Sequence, residues 1–268
     1  MTPAAVVRRL KRIAHGVPIL MYHLVADDAP ASFVKYSVTP RRFAQQVTLL
    51  AQLGYQSVDL DDLLAARNGL LTLPKRPVVI TFDDGYRDCL RHAAPVLHAA
   101  GLGATMYLVA GLLGGGSRWM APQGLDLPLV SAAEARELEQ AGVKCQSHAL
   151  SHSRLATLDN RDISRELDES RRILEDALGH QVRHIAYPHG SYDERVQAAA
   201  RESGYLSACS TRPAKALFGD DVWALPRVIV DGRDHVGDFV SRLVTSKDAW
   251  YYPRRLSGRS RGGASSVR

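Results

Sequence analysis

The chain has 268 residues, of which 46% are apolar and 23% charged. This balance supplies ample material for a core and excludes disorder over the whole length. The net charge is +6, but Arg8, Arg9, Lys11 and Arg12 near the start and Arg254, Arg255, Arg259, Arg261 and Arg268 near the end more than supply it, so the body is mildly acidic. No basic stretch interleaved with stacking aromatics and no nucleic-acid module is present, which argues against a nucleic-acid partner.

The predicted elements alternate between short β-branched runs and longer amphipathic patterns. Residues 1–16 form a basic segment without an apolar h-region, so no classical signal peptide is read there. The apolar run at 17–22 (VPILMY) is a strand, far below the ~20 residues of a membrane-crossing helix. A helix over 40–53 takes Thr39 as N-cap and Pro40 as its first residue, and stops at Gly54. A strand at 55–58 and a short helix at 61–66 come next. The run PVVITF at 77–82 has the composition of a parallel strand covered on both faces. The following helix reaches Ala100, with Pro95 as a kink and Gly101 as the stop. After a strand at 104–109, residues 111–129 carry Gly114, Gly115, Gly116, Pro122 and Pro128, a long loop of the kind that tends to be functional. Ser131 and Glu134 form a capping box for a helix over 131–140. Strands at 143–147, 182–187, 206–210 and 225–230 then alternate with helices at 162–178, 193–203 and 236–243. Residues 251–268, rich in Gly, Ser and Arg, read as a disordered basic tail.

About eight strands separated by helices, with no linker between them, predict one α/β domain over 17–250. The number of units favours a closed (β/α)7-8 barrel, with an open doubly wound sheet as the alternative. Cys89, Cys145 and Cys209 are odd in number and widely spaced, and read as small buried core residues. Free thiols suit a reducing compartment, so the expected location is cytoplasmic. The basic ends leave room for peripheral contact with the anionic inner membrane, or serve only as solvated termini.

In a parallel barrel the chemistry lies at the C-terminal ends of the strands. Three predicted strand ends are unusual there. Asp83-Asp84-Gly85 places two carboxylates where an apolar strand stops, and the backbone can turn at Gly85 so that both face one pocket; alternatively one Asp caps the next helix. Adjacent carboxylates repel unless a cation sits beside them. His148 and His152 follow the strand at 143–147, and at i and i+4 on a helical turn they share a face and can bind one metal. Carboxylate, His and His form a three-ligand set with an open position, the form of a catalytic metal site. Zinc is the default divalent ion for such a set, with nickel, cobalt and iron open. Ala186-Tyr187-Pro188-His189-Gly190 is a tight turn beside these groups, able to point backbone N–H groups at an oxyanion.

With TFDDG at 81–85, His148-xxx-His152 and AYPHG at 186–190 in this order, the chain resembles the polysaccharide deacetylase family (NodB-type, carbohydrate esterase family 4). The likeness runs from about Val17 to about Leu243. VPILMYHLV at 17–25 and SVTPRRFAQQVTLLAQLGY at 37–55 resemble the branch with biofilm-glucosamine deacetylases. The resemblance implies a distorted (β/α) barrel, usually of seven strands, and metal-dependent hydrolysis of an N- or O-acetyl group on a sugar. It implies that Asp83 is the general base, that Asp84, His148 and His152 hold the metal, and that the backbone of the Tyr187–Pro188–His189 turn binds the oxyanion.

Two departures matter. Ala186 stands where more typical members have an Arg, so another group must orient Asp83, and Arg227 is the candidate. No Leu-x-x-His occurs near the C-terminal strand; for the general acid, His23 is favoured because it ends the first strand, with His189 and His235 as alternatives. Trp119, in the long loop, either stacks on a sugar ring or pins the loop to the barrel. The expected activity is removal of an N-acetyl group from an amino sugar of a polysaccharide or cell-envelope glycan. The alternatives are a deacetylase or deformylase of a lipid-linked sugar and a sugar-binding pseudoenzyme.

Overall fold

The computed structural model describes residues 16–245. The basic segment before Gly16 and the tail at 251–268 lie outside them. β1 (Ile19–Tyr22) is followed by a short parallel pair, β2 (Leu24–Val25) and β3 (Ser37–Val38), then α1 (Pro40–Gln52), β4 (Gln56–Ser57) and α2 (Leu60–Arg67). β5 (Pro77–Phe82), α3 (Ala94–Ala99), β6 (Ala104–Leu108), α4 (Ala132–Gln140), β7 (Val143–Ser147) and α5 (Asn160–Leu178) form the middle of the chain. β8 (His184–Ala186), α6 (Glu194–Glu202), β9 (Ser207–Pro213), β10 (Leu225–Ile229) and α7 (Val236–Thr245) complete it.

Seven strands close into a parallel barrel in the order β1, β5, β6, β7, β8, β9, β10. β1 makes the closure, pairing Ile19–Tyr22 against Val79–Phe82 on one side and Leu20 and Met21 against Val228 and Ile229 on the other. β4 pairs only with Pro77 and Val78 at the start of β5, so it lengthens the wall there without adding an eighth stave. Alternate side chains of each strand point in and out. Ile19, Val79, Tyr107, Ala186, Cys209 and Leu225 fill the interior, while Leu20, Ile80, Phe82, Met106 and Val143 belong to the core under the helices. All three cysteines are buried and free.

The caps follow the sequence closely. The Thr39 hydroxyl accepts the Arg42 N–H, and Ser131 and Glu134 form the reciprocal box expected of them. α5 starts two residues before the expected position because Asp159 caps it. Pro95 makes a continuous helical run irregular, as expected of it. It sits in the first turn of α3, preceded by a π turn over Cys89–Ala93. Proline lacks an N–H and clashes with the carbonyl four residues back, so the ladder widens at that point.

Between β9 and β10 the register shifts: Cys209 stands opposite Leu225, but Pro213 opposite Arg227. Four steps along β9 match two along β10. Such a bulge re-aims the groups around it, here the backbone of Ser210 and the side chain of Arg227.

Candidate active site

The two carboxylates reach one cavity through a left-handed step. The Asp83 N–H donates to the Tyr22 carbonyl at 3.0 Å and so prolongs the β1–β5 ladder. Asp84 has φ 75° and Gly85 φ 78°. Consecutive side chains on an extended strand point to opposite faces; the positive φ at Asp84 turns its carboxylate to the same side as Asp83. A non-glycine residue in that region is strained.

Arg227 reaches Asp83 from β10. Its Nη1 and Nη2 donate to Oδ1 and Oδ2 of Asp83 at 2.6 and 2.7 Å. Nε donates to the Ser210 carbonyl at 2.9 Å, so the bulge fixes the fork. Arg227 is fully buried. Burial alone would raise the Asp83 pKa, but the charge and hydrogen bonds of Arg227 outweigh it and hold the carboxyl below its ordinary range. Asp83 is therefore an ionised carboxylate in a dry environment.

Asp84, His148 and His152 are all buried and bring one ligand atom each within 4.8 Å of one another. Asp84 Oδ1 lies 3.3 Å from His148 Nε2 and 3.1 Å from His152 Nε2. His148 Nδ1 lies 2.7 Å from the Ala186 carbonyl. A carbonyl only accepts, so Nδ1 carries a proton, and Nε2 is the nitrogen turned toward the Asp84 carboxylate. A cation between Nε2 and Oδ1, a proton or a metal ion, satisfies both at that distance. The set fits a divalent ion, and the Ala186 carbonyl fixes the tautomer as outer partners of metal-binding histidines do. Asp84 lies well below the usual carboxylate range; burial opposes this, and the charge of His152 with hydrogen bonds from both rings prevails.

The two histidines are not on a helical turn, as their spacing suggested. They flank a loop in which Ala149 has φ 61° and His152 φ 65°. Buried Glu166 on α5 holds that loop: its carboxylate accepts the N–H groups of Leu150 and Ser151 at 3.0 and 2.9 Å, and the Ser151 hydroxyl. Glu166 escaped the reading of the sequence, although a signal was present. It lies on the apolar face of α5 with Ile163, Leu167 and Leu174, where an unpaired carboxylate has no reason to be.

These groups line a cavity of about 430 Å³ together with His23, Trp119 and His189. His23 follows the end of β1, and its pKa is lowered, chiefly by burial, against the opposing pull of Asp84 and Asp83. The Trp119 ring stacks on His152, centroids 4.2 Å apart, so it touches a metal-ligand candidate as well as the open cavity. His189, at φ 57°, sets its ring edge-on to His152 at 4.5 Å. Burial and the neighbouring His152 push His189 down to about 4.

Three expected residues stand elsewhere. The Tyr187 side chain is buried, stacked on Tyr192, and its N–H is taken by the Cys209 carbonyl. Pro188 is buried and has no N–H. Neither lines the cavity, so of the Tyr187–Pro188–His189 turn only His189 does. His235 is exposed, at the entry to α7, and does not line the cavity either. The long loop folds into two 3-10 turns, Ala110–Leu112 and Arg118–Gln123, the second of which carries Trp119 to the cavity.

A closed parallel barrel carries at its C-terminal rim a buried Asp-His-His set that could hold a metal ion. The polysaccharide deacetylase profile matches residues 71–208, more than half of the chain, and the chain belongs to that family. YxkH of Bacillus subtilis (strain 168), which carries the family's name, is 29% identical over 218 residues, covering 80% of this chain and 71% of that protein. The poly-β-1,6-N-acetyl-D-glucosamine N-deacetylase of Staphylococcus aureus (strain MSSA476) is 22% identical over 212 residues, covering 75% of this chain and 71% of that one. Among solved structures, the Streptococcus pyogenes deacetylase PplD in complex with acetate shares the fold, with TM-score 0.74 and 23% identity over 85% of this chain and 98% of that one.

Proposed function

We propose that the chain is a metal-dependent hydrolase that removes an N-acetyl group from an amino sugar of a glycan. The observation that carries this reading is the pairing, in one cavity, of an ionised carboxylate held by Arg227 with a separate Asp84–His148–His152 set suited to a divalent ion. The name of the Staphylococcus aureus relative supports an amide on an amino sugar as the bond attacked.

A bound divalent ion supplies Lewis-acid polarisation and brings the pKa of water toward ~7. Asp83 then takes a proton from the attacking water as its oxygen bonds to the amide carbon. The His189 N–H is the donor this reading assigns to the oxyanion, because His189 is the turn residue that lines the cavity. The C–N bond breaks, acetate leaves, and the sugar nitrogen receives a proton. His23 is the proton donor in this reading, because it lines the cavity with both carboxylates and His235 does not. Burial keeps its ring neutral at rest, so the proton it gives comes from the water by way of Asp83. Trp119 offers the sugar the part of its ring not stacked on His152. We also propose the cytoplasmic, membrane-peripheral location suggested by the free thiols and basic ends; recovery of the native chain outside the cytoplasm in fractionation overturns that part alone.

Acetate release from N-acetylglucosamine oligomers tests the activity. Metal-loaded protein should release acetate, and Asp83→Asn should lose ~10²–10⁴-fold in turnover while retaining the metal. No acetate from any N-acetylated glycan, or full turnover by Asp83→Asn, contradicts the reading.

A further inference from the structure

The cavity is poor in negative charge beyond its floor. Its only acidic lining residues are Asp83 and Asp84. Asp83 is matched by Arg227 at 2.6 Å, and Asp84 faces two histidines at 3.1 and 3.3 Å. Two further cations line the walls, Lys35 and Arg154. Lys35 Nζ stands 5.4 Å above the Tyr36 ring, and that ring lies 5.0 Å from His23, so Lys35 belongs to the His23 side. Arg154 is exposed, two residues past His152, and its charge acts on His189. A cavity with like charges on its walls and apolar rings between them focuses a positive field on its contents.

A neutral acetylated glycan gains nothing from that field, and its deacetylated product, an ammonium, is repelled by it. We infer that the substrate is an acetylated amino sugar with an anionic group, a phosphate or a carboxylate, close to the acetamide, and that Lys35 and Arg154 select it. The inference rests on the deacetylase reading and narrows its substrate class. Lys35 lies in the last turn of the Ala31–Tyr36 3-10 helix, and Arg154 in the loop after His152, so both belong to connecting segments and neither is part of the metal set.

Three ligands test it on the full chain: a neutral N-acetylglucosamine oligomer, an oligomer alternating N-acetylglucosamine with glucuronate, and an N-acetylglucosamine phosphodiester. Binding to the Asp83→Asn protein and acetate release by the metal-loaded wild type are both measured. An anionic ligand should be favoured about tenfold or more over the neutral one, the worth of one good charge-assisted contact. The preference should shrink at high salt, and the better of the two anionic ligands identifies carboxylate or phosphate as the group read. Lys35→Met with Arg154→Met should bring the anionic-to-neutral ratio toward one, through KM more than kcat. A neutral oligomer handled as well as the anionic ones, or an unchanged ratio in the double variant, overturns the inference. Acetate from all three ligands with equal efficiency sinks it and leaves the deacetylase reading standing. Anion-selective binding with no acetate from any ligand sinks the deacetylase reading and leaves the anion site standing.

Discussion

The barrel has a polar cavity at each end, and the candidate chemistry gathers at only one of them. At the N-terminal ends of the strands, a cavity of about 600 Å³ is lined by Asp61, Glu139, Lys144, Gln146, His180 and Arg183. Its charges meet opposite charges: Lys144 with Asp59 at 2.5 Å, His180 with Glu139 at 2.8 Å, Arg183 and His184 with Asp61 at 3.4 and 3.3 Å. Most of these groups are wet, Lys144 at 57% and Arg183 at 46% exposure. At the C-terminal end Asp83, Asp84, His148 and His152 are buried, and Asp84 faces two imidazole nitrogens at 3.3 and 3.1 Å. All four non-glycine residues with positive φ among the described residues, Asp84, Ala149, His152 and His189, lie at that end. Volume and the presence of His with Asp therefore fail to separate the two cavities. Burial and strained backbone separate them.

The sharpest break in the comparison is Arg227→Met. It leaves Asp83 buried without its partner, which costs about 3–5 kcal/mol in comparable sites. Urea unfolding should show that loss, and the folded fraction should turn over far more slowly than wild type. A variant as stable as wild type shows that Asp83 is wetter than the structure places it.

Glu166→Gln probes the shell behind the metal set. The amide keeps the size of the side chain but weakens its hold on the two N–H groups of the His148–His152 loop. Chelator competition with Zn²⁺ should show affinity about 10–100-fold lower, the usual effect of removing an outer partner. Glu166→Asp should recover part of it. Unaltered Zn²⁺ affinity reduces Glu166 to a structural role.

The smallest effect belongs to the other end. A hydrogen bond from His184 pulls Asp61 down to about 2, below the ordinary 3.8. A lowered carboxylate stabilises the fold above its unfolded pKa, so the contribution is present at pH 7 and fades as pH falls from about 4 through about 2. At 38% exposure of the Asp61 side chain, salt screens it, and Asp61→Asn should lose less than about 1 kcal/mol at pH 7, nothing more at pH 2, and no acetate release. Loss of activity in that variant erases the distinction between the ends.

Much of the fold was legible in local chemistry. PVVITF at β5 needed no partner to identify it, and Thr39 and Ser131 carried their caps in their own spacing. The strand ends holding Asp83, Asp84 and the two histidines followed from the same reading. The left-handed backbone at Ala149 and His152 was not legible, since neither is glycine and the loop is held by tertiary contacts, from Glu166 to Leu150 and Ser151 and from the Ala110 and Gly111 N–H groups to the Ala149 and Leu150 carbonyls. Tyr187 and Pro188 looked like site residues because the motif is contiguous. A turn necessarily sends its neighbouring side chains different ways, and theirs went into the core. β4 reads like a barrel strand from its length and composition; only its short register against Pro77 and Val78 reveals that the barrel has seven staves.

The claim that Asp84, His148 and His152 together hold one divalent ion is tested most directly by elemental analysis of purified wild type beside His148→Ala, His152→Ala and Asp61→Asn. Wild type and Asp61→Asn should each carry about one ion per chain, and the two histidine variants close to none, with all four folded by circular dichroism. Folded histidine variants that keep the wild-type metal content contradict it.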